Sequence, residues 1–161
     1  MAARVIIEDT RQQRDKHEAK HEWWARHGLA LVRSKVVFGD YCLPPEVAVD
    51  TKASIAELAL DIDREHERFR RELVGARDAG VRLYVLVENE HGVSSLADLA
   101  GWVEPLSDFA SRANAKRRLS GARLAKACAT MQERYGATFL FCPPEDAARV
   151  VCELLGVGHA G

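Results

Sequence analysis

Asp40, Asp50 and Lys52 are the residues whose types and spacing best suit chemistry. They belong to the segment from Gly39 to Lys52, in which Pro44 and Pro45 separate two short apolar pieces and predict a tight reversal. A chain that turns about Pro45 brings Asp40 opposite Asp50, and opposed residues on paired strands stand only about 4.5–5.5 Å apart at Cβ. Like charges so placed repel unless a cation lies between them, and a hard divalent ion such as Mg2+ or Mn2+ takes carboxylate and water oxygens. Side chains alternate along a strand, so Lys52 projects to the face of Asp50. Phosphodiester hydrolysis needs such a trio. The metal polarises a phosphoryl oxygen and lowers the pKa of bound water, while the lysine orients that water or offsets developing charge. The other reading of the same string is an exposed bend with solvated charges.

A second constellation competes with the first. His17, Glu18 and His21 spell HExxH, which on a helix can bind zinc through both histidines and use the glutamate as general base. His27 stands where the longer zinc-protease pattern places a third ligand. Trp24, however, replaces the glycine that turns that histidine back, and a bulky residue adopts a positive φ only at high cost. The alternative is a solvated helix face rich in His and Glu. The neighbouring Trp23 and Trp24 are read as packing against a sheet rather than stacking on bases.

Lys116, Arg117 and Arg118 precede Ser120 and Gly121, and Arg123 and Lys126 follow on the next predicted helix. Cations around the N–H groups of a helix N-terminus make a natural phosphate site, here a clamp for a DNA backbone. Charge pattern alone equally describes a solvated basic loop.

The elements that must position these residues follow from periodicity. Arg4 to Glu8 reads as a buried strand and Thr10 to His27 as a polar helix ended by Gly28. Leu29 to Phe38 is apolar, and Tyr41 to Leu43 and Glu46 to Lys52 form a hairpin. Ser54 and Glu57 make a capping box, and the spacing of Ile55, Leu58, Ile62, Phe69, Leu73 and Ala76 predicts one long helix up to Gly80. Val81 to Val87 is a buried strand, Ser94 to Trp102 a short helix, and Ser107 to Ser120 a mobile connection. A helix from Gly121 to Tyr135, a strand from Ala137 to Cys142 and a closing helix after Pro143 complete the chain, with a frayed tail at 156–161. Strands alternating with helices around a central hairpin predict an α/β sandwich on a mixed sheet.

The 161 residues, 47% of them hydrophobic, suffice for one domain without disulfides or a structural metal. A formal net charge of -1 excludes binding nucleic acid through a bulk positive field and leaves only local patches. Cys42, Cys128, Cys142 and Cys152 form no CxxC pair or zinc-finger spacing and read as reduced, buried residues. No apolar run approaches the roughly 20 residues that span a bilayer, so a cytoplasmic protein is expected.

From about Val5 to Leu155 the chain resembles the XPF-type nuclease domain of the PD-(D/E)XK superfamily, and in particular its short stand-alone prokaryotic or phage members. The resemblance is carried by Asp9-Thr10-Arg11-Gln12, Gly39-Asp40, Asp50-Thr51-Lys52, Glu57 and Arg68-Phe69, together with the Val85 to Glu88 and Arg134 to Cys142 segments. It implies a restriction-endonuclease-like three-layer α/β/α sandwich and a DNA endonuclease dependent on Mg2+ or Mn2+. Asp40 and Asp50 would be metal ligands and Lys52 catalytic, with Asp9, Arg11 and Glu57 supporting them and Arg68 contacting DNA. It also admits a homodimer and, as an alternative, an inactive DNA-binding scaffold of the same fold. Three departures from the family pattern stand out. Gln12 stands where glutamate is usual, Asp50-Thr51 replaces Glu-Arg, and Glu57 comes one residue late. Glu88, at the end of its strand, ranks below those supporting residues as a site residue, the other reading being a solvated acid at the sheet's edge.

Overall fold

A computed structural model describes residues 5–43, 47–112 and 117–158. Its strands are β1 (Val5–Asp9), β2 (Ala30–Ser34), β3 (Tyr41–Leu43), β4 (Val47–Lys52), β5 (Arg82–Glu88) and β6 (Thr138–Cys142). They form one six-stranded sheet in the order β2-β1-β3-β4-β5-β6. β1 and β2 run parallel, β3 is antiparallel to both of its neighbours, and β4, β5 and β6 run parallel. The sheet is therefore mixed, as the hairpin between two α/β stretches requires.

Among the described residues seven α-helices accompany it: α1 (Glu18–Arg26), α2 (Ile55–Asp63), α3 (His66–Asp78), α4 (Leu96–Gly101), α5 (Leu106–Ser111), α6 (Gly121–Tyr135) and α7 (Ala147–Leu155). Alternation along the strands divides the apolar residues between two cores. Ala48, Leu83, Val85 and Val87 pack with α2, α3, α4 and α6 on one face. Val49 and Leu86 pack with Trp24 of α1 and with Val151, Cys152 and Leu155 of α7 on the other. The result is the three-layer α/β/α sandwich predicted from sequence.

Three predicted elements differ. The helix expected from Thr10 begins only at Glu18, after a 3-10 turn at Arg14–Lys16. The preceding residues are drawn into a turn, with the Gln12 N–H donating to Asp9 O and the Thr10 N–H to Ser34 O. The long helix predicted from Ser54 to Gly80 is two helices, because the Arg64 and Glu65 N–H groups both turn onto Leu60 O at 2.8 and 3.2 Å. Periodicity cannot reveal that break: Ile62 and Phe69 are seven residues apart, so the apolar stripe stays in phase across it. The connection expected from Ser107 to Ser120 contains α5, and Ser120 caps α6 by accepting a hydrogen bond from the Arg123 N–H. Arg4 of the expected first strand, Pro44, Pro45 and Glu46, residues 113–116 of the expected connection with Lys116 among them, and residues 159–161 of the expected frayed tail lie outside the described residues.

Candidate active site

The β3–β4 register pairs Tyr41 with Val49, Cys42 with Ala48 and Leu43 with Val47. Carried one step outward, it sets Asp40 across from Asp50, and the Asp40 N–H donates to Val49 O at 2.8 Å. Gly39 makes this approach possible. Its φ is +72°, and a Cβ there would lie 2.8 Å from Val49 O, so both the backbone conformation and the contact require glycine. The Asp40 carboxylate is then fixed: Oδ2 accepts from the Thr51 N–H at 2.7 Å and from Thr51 Oγ1 at 2.9 Å, and Oδ1 accepts from Gln12 Nε2.

Asp50 and Lys52 project from alternate positions of β4 onto the α2/α3 side, and both are buried. Lys52 Nζ meets Asp50 Oδ2 at 2.7 Å and forms a second ion pair with Asp61 Oδ2 of α2, while the Phe69 ring of α3 lies 5.2 Å below it. Glu72 of α3 closes the group, with Oε1 accepting from the Gly39 N–H at 2.9 Å. The arginines that interleave with it in sequence make Glu72 look like an ordinary surface pairing partner, and Asp61 carries no role there, although a signal exists for both. Each falls on an apolar helix face, Asp61 beside Leu58 and Ile62 and Glu72 beside Phe69 and Leu73, where a charge needs a buried partner.

This arrangement is short of positive charge. Burial, then the neighbouring Asp40, pushes the Asp50 carboxyl up to about 7. Burial, then Asp50, pushes Glu72 up to about 7 as well. Burial also raises Asp40, against the pull of the Thr51 hydrogen bonds. Burial works to discharge Lys52, and Asp50 with Asp61 more than offsets it, so the ammonium is held above its ordinary value. Asp50 Oδ2 is buried with no aligned hydrogen bond, its contact with Lys52 being an ion pair. A hard divalent cation suits this donor set. Among the described residues no three His, Cys, Asp or Glu side chains converge as a ready-made cage. Two carboxylates suffice for Mg2+, which keeps several waters and completes its shell with substrate phosphate.

The other expected site residues are placed as follows. Asp9 and Arg11 pair with each other, Nε to Oδ2 at 2.5 Å, and Arg11 Nη2 also donates to Val36 O at 2.7 Å. The Asp9 N–H donates to Asp40 O at 2.7 Å, so this pair braces the strand end that carries Asp40. Glu57 is exposed and caps α2, its Oε2 accepting from the Ala53 N–H at 2.6 Å; it is not brought to the trio. Arg68 is exposed on α3 and faces Glu65 at 3.5 Å.

The HExxH residues lie on the opposite face of the sheet. His21 Nε2 meets the buried Glu8 Oε2 at 2.6 Å, and Arg33 Nε reaches Glu8 Oε1 at 3.0 Å. Glu18 is exposed, His17 sets its ring edge-on to Tyr41, and His27 stacks on Trp23. His17, His21 and His27 thus do not converge on a zinc position, and His17 and His21 serve to seat α1 on the sheet. Lys20 adds to this by pairing with Glu88 at 2.7 Å, both side chains being buried. Glu88 is accordingly an internal ion pair and not a solvated edge residue. Trp24 is core, donating through Nε1 to Ala148 O at 3.0 Å.

The basic segment divides. Arg118 donates to Glu104 O, and Arg123 pairs with Asp63. Arg117 and Lys126 are exposed with no acidic partner among the described residues. The start of α6 is itself tightly covered: a Cβ on Gly121 would lie 2.1 Å from Leu99 O and 2.4 Å from Trp102 O. Carbonyl oxygens at the end of α4 thus pack closely on the first residue of α6, and the Arg123 N–H there donates to Ser120 Oγ at 3.3 Å.

No family model matches the chain, and no curated protein matches it. Among solved structures, XPF from Aeropyrum pernix superposes with a TM-score of 0.64 at 18% identity. XPF from Aeropyrum pernix in complex with DNA superposes with a TM-score of 0.63 at 17% identity. Each match covers 94% of this chain and 63% of the other, so the chain spans less than two thirds of the structures it resembles. The fold is that of these XPF structures, with a six-stranded mixed sheet and helices on both faces.

Proposed function

We propose that the chain is a divalent-metal-dependent DNA endonuclease with its site at Asp40, Asp50 and Lys52. The observation that carries this reading is the meeting of Asp40 and Asp50 across the β3–β4 hairpin, with Lys52 Nζ 2.7 Å from Asp50. Asp40 and Asp50 would hold Mg2+ or Mn2+. The bound ion would supply Lewis acidity to a phosphoryl oxygen and acidify a coordinated water. Lys52 donates from Nζ to a phosphate oxygen and offsets charge that gathers in the transition state. Asp9, Arg11 and Gln12 keep Asp40 aimed, and exposed Arg68, Arg117 and Lys126, with Arg123 once it leaves Asp63, contact the DNA backbone. Arg118 supports the adjoining loop through Glu104.

A second reading is supported by Gln12. It donates to Asp40 Oδ1 and so occupies one of the oxygens that a metal would use, as suits a DNA-binding scaffold that has lost cleavage. Nicking of supercoiled plasmid in EDTA, Mg2+, Mn2+ and Zn2+ separates the possibilities. The nuclease nicks in Mg2+ or Mn2+, loses this in Asp40→Asn and keeps it in His17→Ala. DNA binding without nicking in any metal favours the scaffold.

A further inference from the structure

We propose that Asp61 is a positioning residue of this site, holding the Lys52 ammonium from the helix side independently of Asp50. The inference rests on the nuclease reading above. It begins with an anomaly in α2. Ile55, Leu58, Ala59 and Ile62 are buried, as an amphipathic helix requires, yet Asp61 lies among them only 6% exposed. A carboxylate does not stay on an apolar face without compensation. Among the described residues its one ion-pair partner is Lys52.

The consequence concerns what happens to Lys52 when Asp50 turns to a cation. A lysine tethered by Asp50 alone would lose its anchor as that carboxylate engages metal, and its four-carbon stem would be free to change rotamer. Asp61 removes this dependence. It sits on a different element from Asp50, and with the Phe69 ring 5.2 Å from Nζ it leaves the ammonium bounded on three sides. Glu57, whose position in sequence suggested the supporting acid, faces solvent and caps the helix instead. The supporting acid of this chain lies one turn further along α2. Displacement by about 1 Å can cost on the order of 10²-fold in rate, so a loose Lys52 is a slow one.

The test compares Asp61→Asn with Asp61→Glu, and with Asp61→Ser should the asparagine variant fail to fold. Two readouts are taken on each. In the first, the side-chain ammonium resonance of Lys52, assigned through Lys52→Arg, is followed by NMR in metal-free protein that also carries Asp50→Asn, so that Asp61 is the ion-pair partner left to Lys52. We expect it to broaden beyond detection by exchange with water in Asp61→Asn and to return in Asp61→Glu. An unchanged resonance in Asp61→Asn overturns the proposal, whether or not the chain cuts DNA. The second readout is cleavage. Asp61→Asn should lower kcat by about 10²-fold with KM for DNA and Mn2+ affinity by calorimetry unchanged. In a Lys52→Ala background the same substitution should cause no further loss. Weakened Mn2+ binding, or a loss that adds to that of Lys52→Ala, would make Asp61 a ligand or an independent participant and contradict the proposal. Absence of cleavage by the wild type refutes the nuclease reading, while the ammonium resonance still decides whether Asp61 holds Lys52.

Discussion

At the level of single residues, placement of the trio depends on a few positions where chemistry leaves no choice. Gly39 combines a left-handed backbone with a close approach to Val49 O, and its N–H is taken by Glu72. Gly39→Ala should destabilise the protein by roughly 1–3 kcal/mol, the usual cost of forcing a strained backbone, read as a lower urea midpoint at unchanged slope. It should also depress cleavage far more than it depresses stability, because the strain falls on the residue before Asp40. Equal stability in the alanine variant would show that the hairpin entry is more pliant than described. At this scale the sequence was informative about Asp40, Asp50 and Lys52, since an alternating strand and a symmetrical reversal dictate their juxtaposition. It was uninformative about Asp61 and Glu72, because a helix stripe shows that an acid lies inside but not which strand supplies its cation.

Among elements, the hairpin and α1 show opposite limits of reading. The hairpin was legible because Tyr41 and Val49, paired in register, leave only one place for the residues just beyond them. The break after Asp63 and the late start of α1 were not: the first is a local convergence of two N–H groups on Leu60 O, the second involves the long-range bond from the Thr10 N–H to Ser34 O, and apolar spacing encodes neither. The HExxH string was legible as a helix but misleading as chemistry: its residues meet partners on β1 and β3. His17 provides a test of this seating. Its pKa is lowered to about 4, by burial first and then by Lys20, with His21 and Lys16 acting in the same sense and Glu8 opposing. The unfolded chain takes up a proton near 6.5 while the folded one does not until about 4, so stability from neutral His17 is complete above 6.5 and lost as the pH falls. Urea midpoints measured between pH 7.5 and 4.5 should decline less steeply in His17→Gln than in wild type. Parallel curves would mean that His17 is solvated and does not seat α1.

On the scale of the whole molecule, a net charge of -1 means that any grip on DNA is local. The cations differ in readiness. Arg123 is engaged with Asp63 and Arg118 with Glu104 O, whereas Arg117 and Lys126 stand exposed. If these two contact phosphates, Arg117→Ala and Lys126→Ala should each weaken DNA binding equally across sequences and reduce the salt slope by about 1. An unchanged slope in both would move the DNA path away from α6. The overall α/β/α architecture was open to sequence reading because α/β stretches flank a central hairpin. The close packing of α4 on the start of α6 was not, since it depends on how close Gly121 lets another backbone come.

The central claim is that Asp40, Asp50 and Lys52 cut DNA with a divalent metal. Its most direct test is cleavage of end-labelled flap, fork, duplex and single-stranded DNA in EDTA, Mg2+ and Mn2+, comparing wild type with Asp50→Asn and Lys52→Ala. We predict cleavage of at least one form by the wild type in Mg2+ or Mn2+ only, reduced by about 10²-fold or more in both variants while folding and DNA binding persist. Cleavage that survives in EDTA or in Asp50→Asn, or a folded, DNA-binding wild type that cuts none of the four, would contradict it.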